Sequence, residues 1–304
     1  MIEVFTTTQV YVLPPMPDNP STPFALAGHR LLALQGLDAV RFAHAQFMSD
    51  VAGLPDGHWQ WSGWLTPKGR VVALFALLRL DAQRLWLLLP DADPELLAVQ
   101  LRRFVFRSKL AIEARPELAV SGIFAADAQA RGAAMAMRGG DSVTLDFGGD
   151  GGVRTLSIAP ASGASSGAAG MGASPEPPAW REFDLAHGLP RLGDEQLDRW
   201  TPQQLSLDRL RAYSVKKGCY PGQEIVARTH FLGQAKRGLV LLEGDAPLAA
   251  GGAVHVGGAA SGHVVCTAGA LGLAVLPLER DSSAPIDVDG ADVRERLLLG
   301  GLER

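Results

Sequence analysis

Lys216-Lys217-Gly218-Cys219-Tyr220-Pro221-Gly222-Gln223-Glu224-Ile225-Val226-Ala227-Arg228 places a single cysteine just behind two lysines and just ahead of a turn. A thiol reacts as its thiolate, and its pKa falls beside cations or at a helix start. Lys216 and Lys217 supply the cations. Pro221-Gly222 makes a turn, and the residues from Gln223 to Arg228 are helix-compatible, so Cys219 is expected before a helix N-terminus and its partial positive charge. Glu224 is expected to cap that first turn. Gly218 and Gly222 let the backbone come close to a ligand or take positive φ. Chemistry alone leaves two readings open: a reactive thiol with Lys217 beside it, or an ordinary buried cysteine next to a solvated lysine pair.

The rest of the chain narrows the class. Only two cysteines occur in 304 residues, Cys219 and Cys266, so no disulfide framework or paired-cysteine metal site is expected. Cys266 sits in the apolar run Val264-Val265-Cys266 and is expected to be inert core. The five lysines are Lys68, Lys109, Lys216, Lys217 and Lys236, three of them clustered around Cys219. A net charge of −4 counts against a broad nucleic-acid footprint and leaves room only for a local basic patch. No signal-peptide pattern opens the chain and no apolar run is long enough to span a bilayer, so a cytoplasmic protein is expected.

The apolar pattern predicts an α+β body. Residues 9–13 and 30–34 read as strands and 38–48 as a helix capped by Asp38. Residues 60–65 read as a strand ending in the turn Thr66-Pro67-Lys68-Gly69. Residues 70–80 and 85–89 read as a hairpin, 94–104 as a helix and 105–112 as a further strand. The pattern then repeats: strand 118–124, helix 126–137, strands 142–147 and 154–158. Two such groups suggest an internal duplication. Residues 159–179, rich in Ala, Ser, Gly and Pro, read as a flexible linker. Beyond residue 233, six short apolar runs separated by Gly, Pro and Asp suggest a small β-barrel. The expected domains are 1–232 and 233–304.

The thirteen-residue stretch closely resembles the signature of the YgfZ-type folate-binding proteins. Asp38, Phe42, Gln46 and Asp50-Val51, the turn Pro67-Lys68-Gly69-Arg70, Phe106-Arg107-Ser108-Lys109, Gly188-Leu189-Pro190 and Pro202-Gln203 extend the resemblance over roughly residues 26–304. That family is related to the aminomethyltransferase of the glycine cleavage system. The resemblance implies a duplicated folate-binding α+β body and a small C-terminal β-barrel around a central cavity, with tetrahydrofolate as ligand. It also implies a protein that supports assembly or repair of iron–sulfur proteins, including tRNA-thiomethylating radical enzymes, with Cys219 as the functional residue; a monomer is expected. The partners are then iron–sulfur client enzymes or assembly proteins, with tRNA involved indirectly at most. Trp180 matches a tryptophan lining the family's folate cavity, where an indole can stack on a pterin. His29 stands where a second such tryptophan is expected and can stack or donate a hydrogen bond. Tyr220, Gln223, Glu224 and Arg228 complete the expected folate-binding set. Tyr220 is expected as an aromatic support, and Gln223 and Glu224 as fasteners of the loop. Arg228 and Lys236 either hold an anionic ligand such as the folate glutamate tail or form surface ion pairs.

The glycine-cleavage enzyme carries an acidic pair where this chain has Ala73-Leu74, so the resemblance does not carry aminomethyl transfer. Two alternatives stay open. One is a folate-dependent one-carbon transferase or demethylase. The other is a tRNA-binding module working through Lys216, Lys217, Arg228 and Lys236. No bound metal is expected, and an iron–sulfur cluster would find at most one ligand here.

Overall fold

Residues 11, 22–161, 174–233 and 235–304 are described by the computed structural model. Most of the expected strand over 9–13, and residues 162–173 of the expected linker, lie outside them. A short strand β1 (Phe24–Ala25) is followed by β2 (Arg30–Gln35), α1 (Ala39–Gln46), β3 (His58–Leu65), β4 (Val71–Arg79), β5 (Arg84–Leu89), α2 (Pro94–Arg102) and β6 (Ala111–Ala114). β4 and β5 read as unbroken apolar runs because both faces of their sheet are covered. Trp61, Leu74, Ala76 and Leu88 join a central core. Trp64, Phe75, Leu77 and Leu87 join a second core shared with α1 and α2. Asp93 caps α2 by accepting the N–H groups of Glu95 and Leu96, with Pro94 in the first turn.

Two expectations change in this half. Asp38 does not cap α1, because its carboxylate accepts the Lys109 N–H at 2.7 Å and pairs with Arg41 at 2.9 Å. The strand expected over 105–112 shrinks to β6. The stretch before it is irregular, with Arg107 in the left-handed region at φ 55°.

The second half holds β7 (Leu118–Ile123), β8 (Ala136–Met137), β9 (Val143–Asp146), β10 (Thr155–Pro160) and α3 (Pro178–Ala186). Its sheet has the order β1-β7-β10-β9-β8, and the first sheet has β3-β4-β5-β2-β6. Taken from β8, β7 to β10 occupy the places that β2 to β5 hold in the first sheet. The duplication is therefore one of topology.

The helix expected over 126–137 is missing from it. Asp127 accepts the N–H groups of Gln129 and Ala130, Gly132 takes φ 55°, and the Gly132 carbonyl accepts the Trp59 indole N–H at 3.1 Å. A side-chain turn and one tertiary hydrogen bond override the helix propensity of an alanine-rich stretch.

A 3-10 turn (Asp194–Gln196) and α4 (Gln223–Leu232) lead to β11 (Arg237–Gly244), β12 (Ala253–Val256), β13 (Ala259–Ala268), β14 (Leu271–Pro277), β15 (Ile286–Val288) and β16 (Ala291–Arg296). These six close into a barrel, which leaves no open sheet edge. Residues 297–304 then return to the first two sheets. Among the described residues, no helix is long and apolar enough to cross a membrane.

Candidate functional site

The signature loop is fastened from several sides. The Lys217 ammonium donates to the carbonyls of His44 and Phe47 (2.5 Å), at the C-terminal end of α1, and to that of Ser49 (3.0 Å) just beyond it, which also accepts the Val51 N–H. It lies 4.8 Å from the centre of the Tyr220 ring. Burial pushes its pKa down to about 8, with Asp50 opposing. The Gln223 amide donates to the Lys217 carbonyl at 3.1 Å, and the Tyr220 hydroxyl donates to the Ser214 carbonyl at 3.1 Å.

Gly222, at φ 78°, begins α4. A β-carbon there would stand 2.6 Å from the Thr66 carbonyl oxygen, so the β3–β4 turn and the signature loop touch main chain to main chain.

Lys217 is thus a positioning group that ties the loop to α1, where the sequence suggested a partner for the thiol. Glu224 does not cap α4; it and Arg228 are exposed, without a side-chain partner among the described residues. Cys219 is exposed and unpaired, and so is Lys216 nearby. Cys266 is buried, and desolvation raises its thiol pKa to about 12. Of the two readings the sequence left open for Cys219, the buried one does not hold, while Cys266 lies in the core as expected.

A second assembly sits where the two sheets, α3 and the barrel meet. A cavity there is lined by His29, Trp61, Ala76, Leu88, Phe147, Asp184 and Arg191, among others. Its open space is about 10 Å³, room for about one water. Two buried nitrogens among these residues, His29 Nδ1 and Arg191 Nη1, have no hydrogen-bond partner among the described residues. Burial, reinforced by the Arg191 charge, holds the His29 pKa well below its usual value, so the ring is neutral.

Arg191 is held by Asp91 at 2.8 Å and the Pro90 carbonyl at 2.7 Å. Its backbone N–H donates to Cys266 Sγ at 3.4 Å, which joins the barrel to the cavity wall. Asp184 is paired with Arg154 at 2.7 Å, both fully buried. Arg154 also donates to the Phe147 and Trp180 carbonyls.

Trp180 does not line this cavity. It is 0% exposed, with its ring 4.2 Å from the Arg154 guanidinium and edge-on to Phe24 and Phe124. In this conformation no face of it is open to stack on a ligand. Trp61 and Phe147 take the lining place instead. Ala73 and Leu74 are buried in β4 and present no carboxylate; the carboxylate at the cavity comes from α3, as Asp184. Asp184 and Arg191 flank the Gly188-Leu189-Pro190 segment noted in the sequence, but their partners Arg154 and Asp91 lie far away in the chain.

The tail fastens the aromatic residues of the cavity wall from behind. The Trp61 indole N–H donates to the Leu302 carbonyl at 2.7 Å. Arg304 donates to the carbonyls of Asp146 (3.0 Å) and Gly148 (2.8 Å), on either side of Phe147. Its guanidinium lies 5.2 Å from the centre of the Trp59 ring, which stacks on Phe147.

Comparison with known proteins agrees with this architecture. A family model described as the CAF17 C-terminal β-barrel domain matches residues 236–297. The tRNA-modifying protein YgfZ of Klebsiella pneumoniae is 27% identical over 243 residues, covering 75% of this chain and 73% of that one. The same-named protein of Aliivibrio fischeri is 41% identical over 78 residues, 25% of this chain and 24% of that one. The crystal structure of the glycine cleavage system aminomethyltransferase T from Bartonella henselae superposes with a TM-score of 0.72 at 16% identity, covering 97% of this chain and 90% of that one. The last likeness is one of fold.

Proposed function

As a homologue of the YgfZ proteins with a CAF17-type barrel, this chain is, we propose, a tetrahydrofolate-binding accessory factor that supports iron–sulfur proteins through Cys219. The observation that carries the ligand half is the pair of buried, unpartnered nitrogens of His29 and Arg191 in the cavity wall. A buried polar atom without a partner costs about 1–3 kcal/mol, and a ligand that satisfies it recovers that cost. The lining fits a pterin: Trp61 and Phe147 offer aromatic faces, neutral His29 and Arg191 offer hydrogen bonds, and Asp184 brings a carboxylate. With room for one water, the cavity must widen before such a ligand enters. Folate would supply a one-carbon carrier; the chain's own residues bind and orient it and exclude water.

Cys219 is the group for the second half, exposed in a loop whose Lys217, Tyr220 and Gln223 are engaged in holding it. Its client is an iron–sulfur protein, and the chain acts on a cluster that the client carries.

Tetrahydrofolate titration of the purified protein tests the ligand half. His29→Leu is expected to weaken binding about tenfold and Cys219→Ala to leave it unchanged. Wild-type affinity in His29→Leu would move the ligand elsewhere. The thiol half is tested in a strain lacking the protein. Full rescue of iron–sulfur enzyme activity by Cys219→Ala would remove Cys219 from the function.

A further inference from the structure

The segment after α2 puts aromatic and basic side chains on the surface together. Phe106 is 77% exposed, Phe104 48% and Leu37 65%. Arg103, Arg107 and Lys109 are exposed between and beside them; Arg103 and Arg107 have no carboxylate partner among the described residues, and Lys109 has only the field of the Asp38 carboxylate, which is also paired with Arg41. The Arg107 guanidinium lies 5.2 Å from the centre of the Phe106 ring. An apolar group this open on a soluble surface calls for an occupant.

The segment is held in place. The Phe104 ring packs edge-on against Trp64 at 5.9 Å. Arg102 is tied to the Ile112 carbonyl, and the Lys109 N–H to Asp38. Gly36 lies so close that a β-carbon on it would stand 2.2 Å from the Lys109 carbonyl oxygen, which brings Leu37 alongside. Arg107 alone bends into the left-handed region, at φ 55°.

The position matters as well. Trp64, beneath Phe104, bridges to Phe47, and the Phe47 carbonyl is one of the three that hold Lys217. The patch and the Cys219 loop therefore flank the same end of β3. Lys68 in the β3–β4 turn and Lys216 beside the thiol add exposed cations without carboxylate partners. On a chain of net charge −4, this is a local basic face.

We infer that the Phe104, Phe106, Arg103, Arg107 and Lys109 face binds single-stranded RNA. Exposed aromatic rings stack on unpaired bases, and unpaired arginine and lysine track the phosphates. Charge decides for RNA: phenylalanine and arginine also occur at protein interfaces, but lysine is depleted there, and here the exposed Lys109, Lys68 and Lys216 join the rings and arginines on one basic face. RNA docking on this face is independent of any ligand in the cavity.

The test is equilibrium binding of a labelled single-stranded RNA of about twelve nucleotides, measured between about 50 and 200 mM salt. The wild type is expected to bind with an affinity that falls steeply with salt. Phe106→Ala is expected to weaken binding about tenfold with the salt slope kept. Arg103→Glu with Arg107→Glu is expected to weaken it more than tenfold and to flatten the slope by about two. Arg131→Glu, an exposed arginine in the other half, is expected to bind as the wild type. All these residues are exposed, and matching urea midpoints confirm intact folds. Absent RNA binding, equal affinity in the Phe106 and Arg103/Arg107 variants, or an equal loss in Arg131→Glu overturns the assignment. Absent RNA binding by a folded wild type hands the face to a protein partner.

Discussion

Gly222 and Gly69 meet backbone to backbone: a β-carbon on Gly222 would lie 2.7 Å from the Gly69 Cα, and one on Gly69 would lie 2.8 Å from the Ile225 Cβ. Both glycines take positive φ, 78° and 70°. Gly222→Ala therefore meets left-handed strain of about 1–2 kcal/mol as well as a clash with the Thr66 carbonyl. The expected loss is about 2 kcal/mol or more of unfolding free energy, read as a lower urea midpoint at an unchanged slope. Loss of the close approach should also alter the rate at which Cys219 reacts with a thiol reagent.

Lys217→Met removes the ammonium that donates to the His44, Phe47 and Ser49 carbonyls, of which Ser49 keeps a second donor, the Val51 N–H. The expected cost is about 2–4 kcal/mol. The wild-type ammonium adds a pH signature. Its folded pKa of about 8 lies below the 10.5 of a free lysine because of burial. Between those values the unfolded chain holds more protons than the folded one, so this group's contribution to stability rises as pH climbs through that window. Urea unfolding of both proteins at pH values across it should show the wild-type advantage growing with pH. A flat difference would mean that the amine is not buried in solution.

Thiol titration separates the two cysteines. Cys219 is exposed, whereas Cys266 is buried with its pKa raised to about 12. A chromogenic disulfide at mildly alkaline pH is expected to report one fast thiol in the native protein and both in denaturant. Cys219→Ala should abolish the fast phase. Two fast thiols in the native protein would contradict the sealed barrel–cavity contact at Arg191.

The Arg154–Asp184 pair behind the cavity makes a third kind of prediction. Arg154→Met leaves the Asp184 carboxylate buried without its cation, at an expected cost of about 3–5 kcal/mol. Adding Asp184→Asn should recover a large part of it, because the unpaired charge is then gone. Additive losses in the double variant, measured by urea unfolding, would show that the pair is not coupled.

The fold was largely legible in the sequence, and the particular residues show why. The hairpin of β4 and β5 and the barrel strands announce themselves through local apolar runs. The meeting of His29, Asp184 and Arg191 does not, because residues from separate parts of the chain make it and two of them lean on others brought from far along the chain: Asp184 on Arg154, Arg191 on Asp91. Lys217 was legible as a cation but not as a donor to α1, since nothing local reveals which carbonyls a folded chain leaves open. Trp180 was visible as an important indole, and only packing shows that Arg154 and Phe24 have claimed its ring. The lost helix at 126–137 has the same cause: its alanines favour a helix, and the Trp59 hydrogen bond to Gly132 decides otherwise.

The tie between Trp61 and Leu302 spans 241 positions, which sets a schedule for synthesis. At about 5–20 residues per second, β3 leaves the ribosome on the order of ten to fifty seconds before its last partner. For that interval the nascent chain carries Trp59 and Trp61 without the segment that covers them, a stretch suited to a chaperone's grip. The two sheets and then the barrel receive their remaining strands within that interval, since β16 ends at Arg296. The Trp61 wall of the cavity is therefore tied down only after the barrel strands, and a ribosome stalled within the barrel yields a chain with its thiol loop in place but the Trp61 indole N–H without its carbonyl partner.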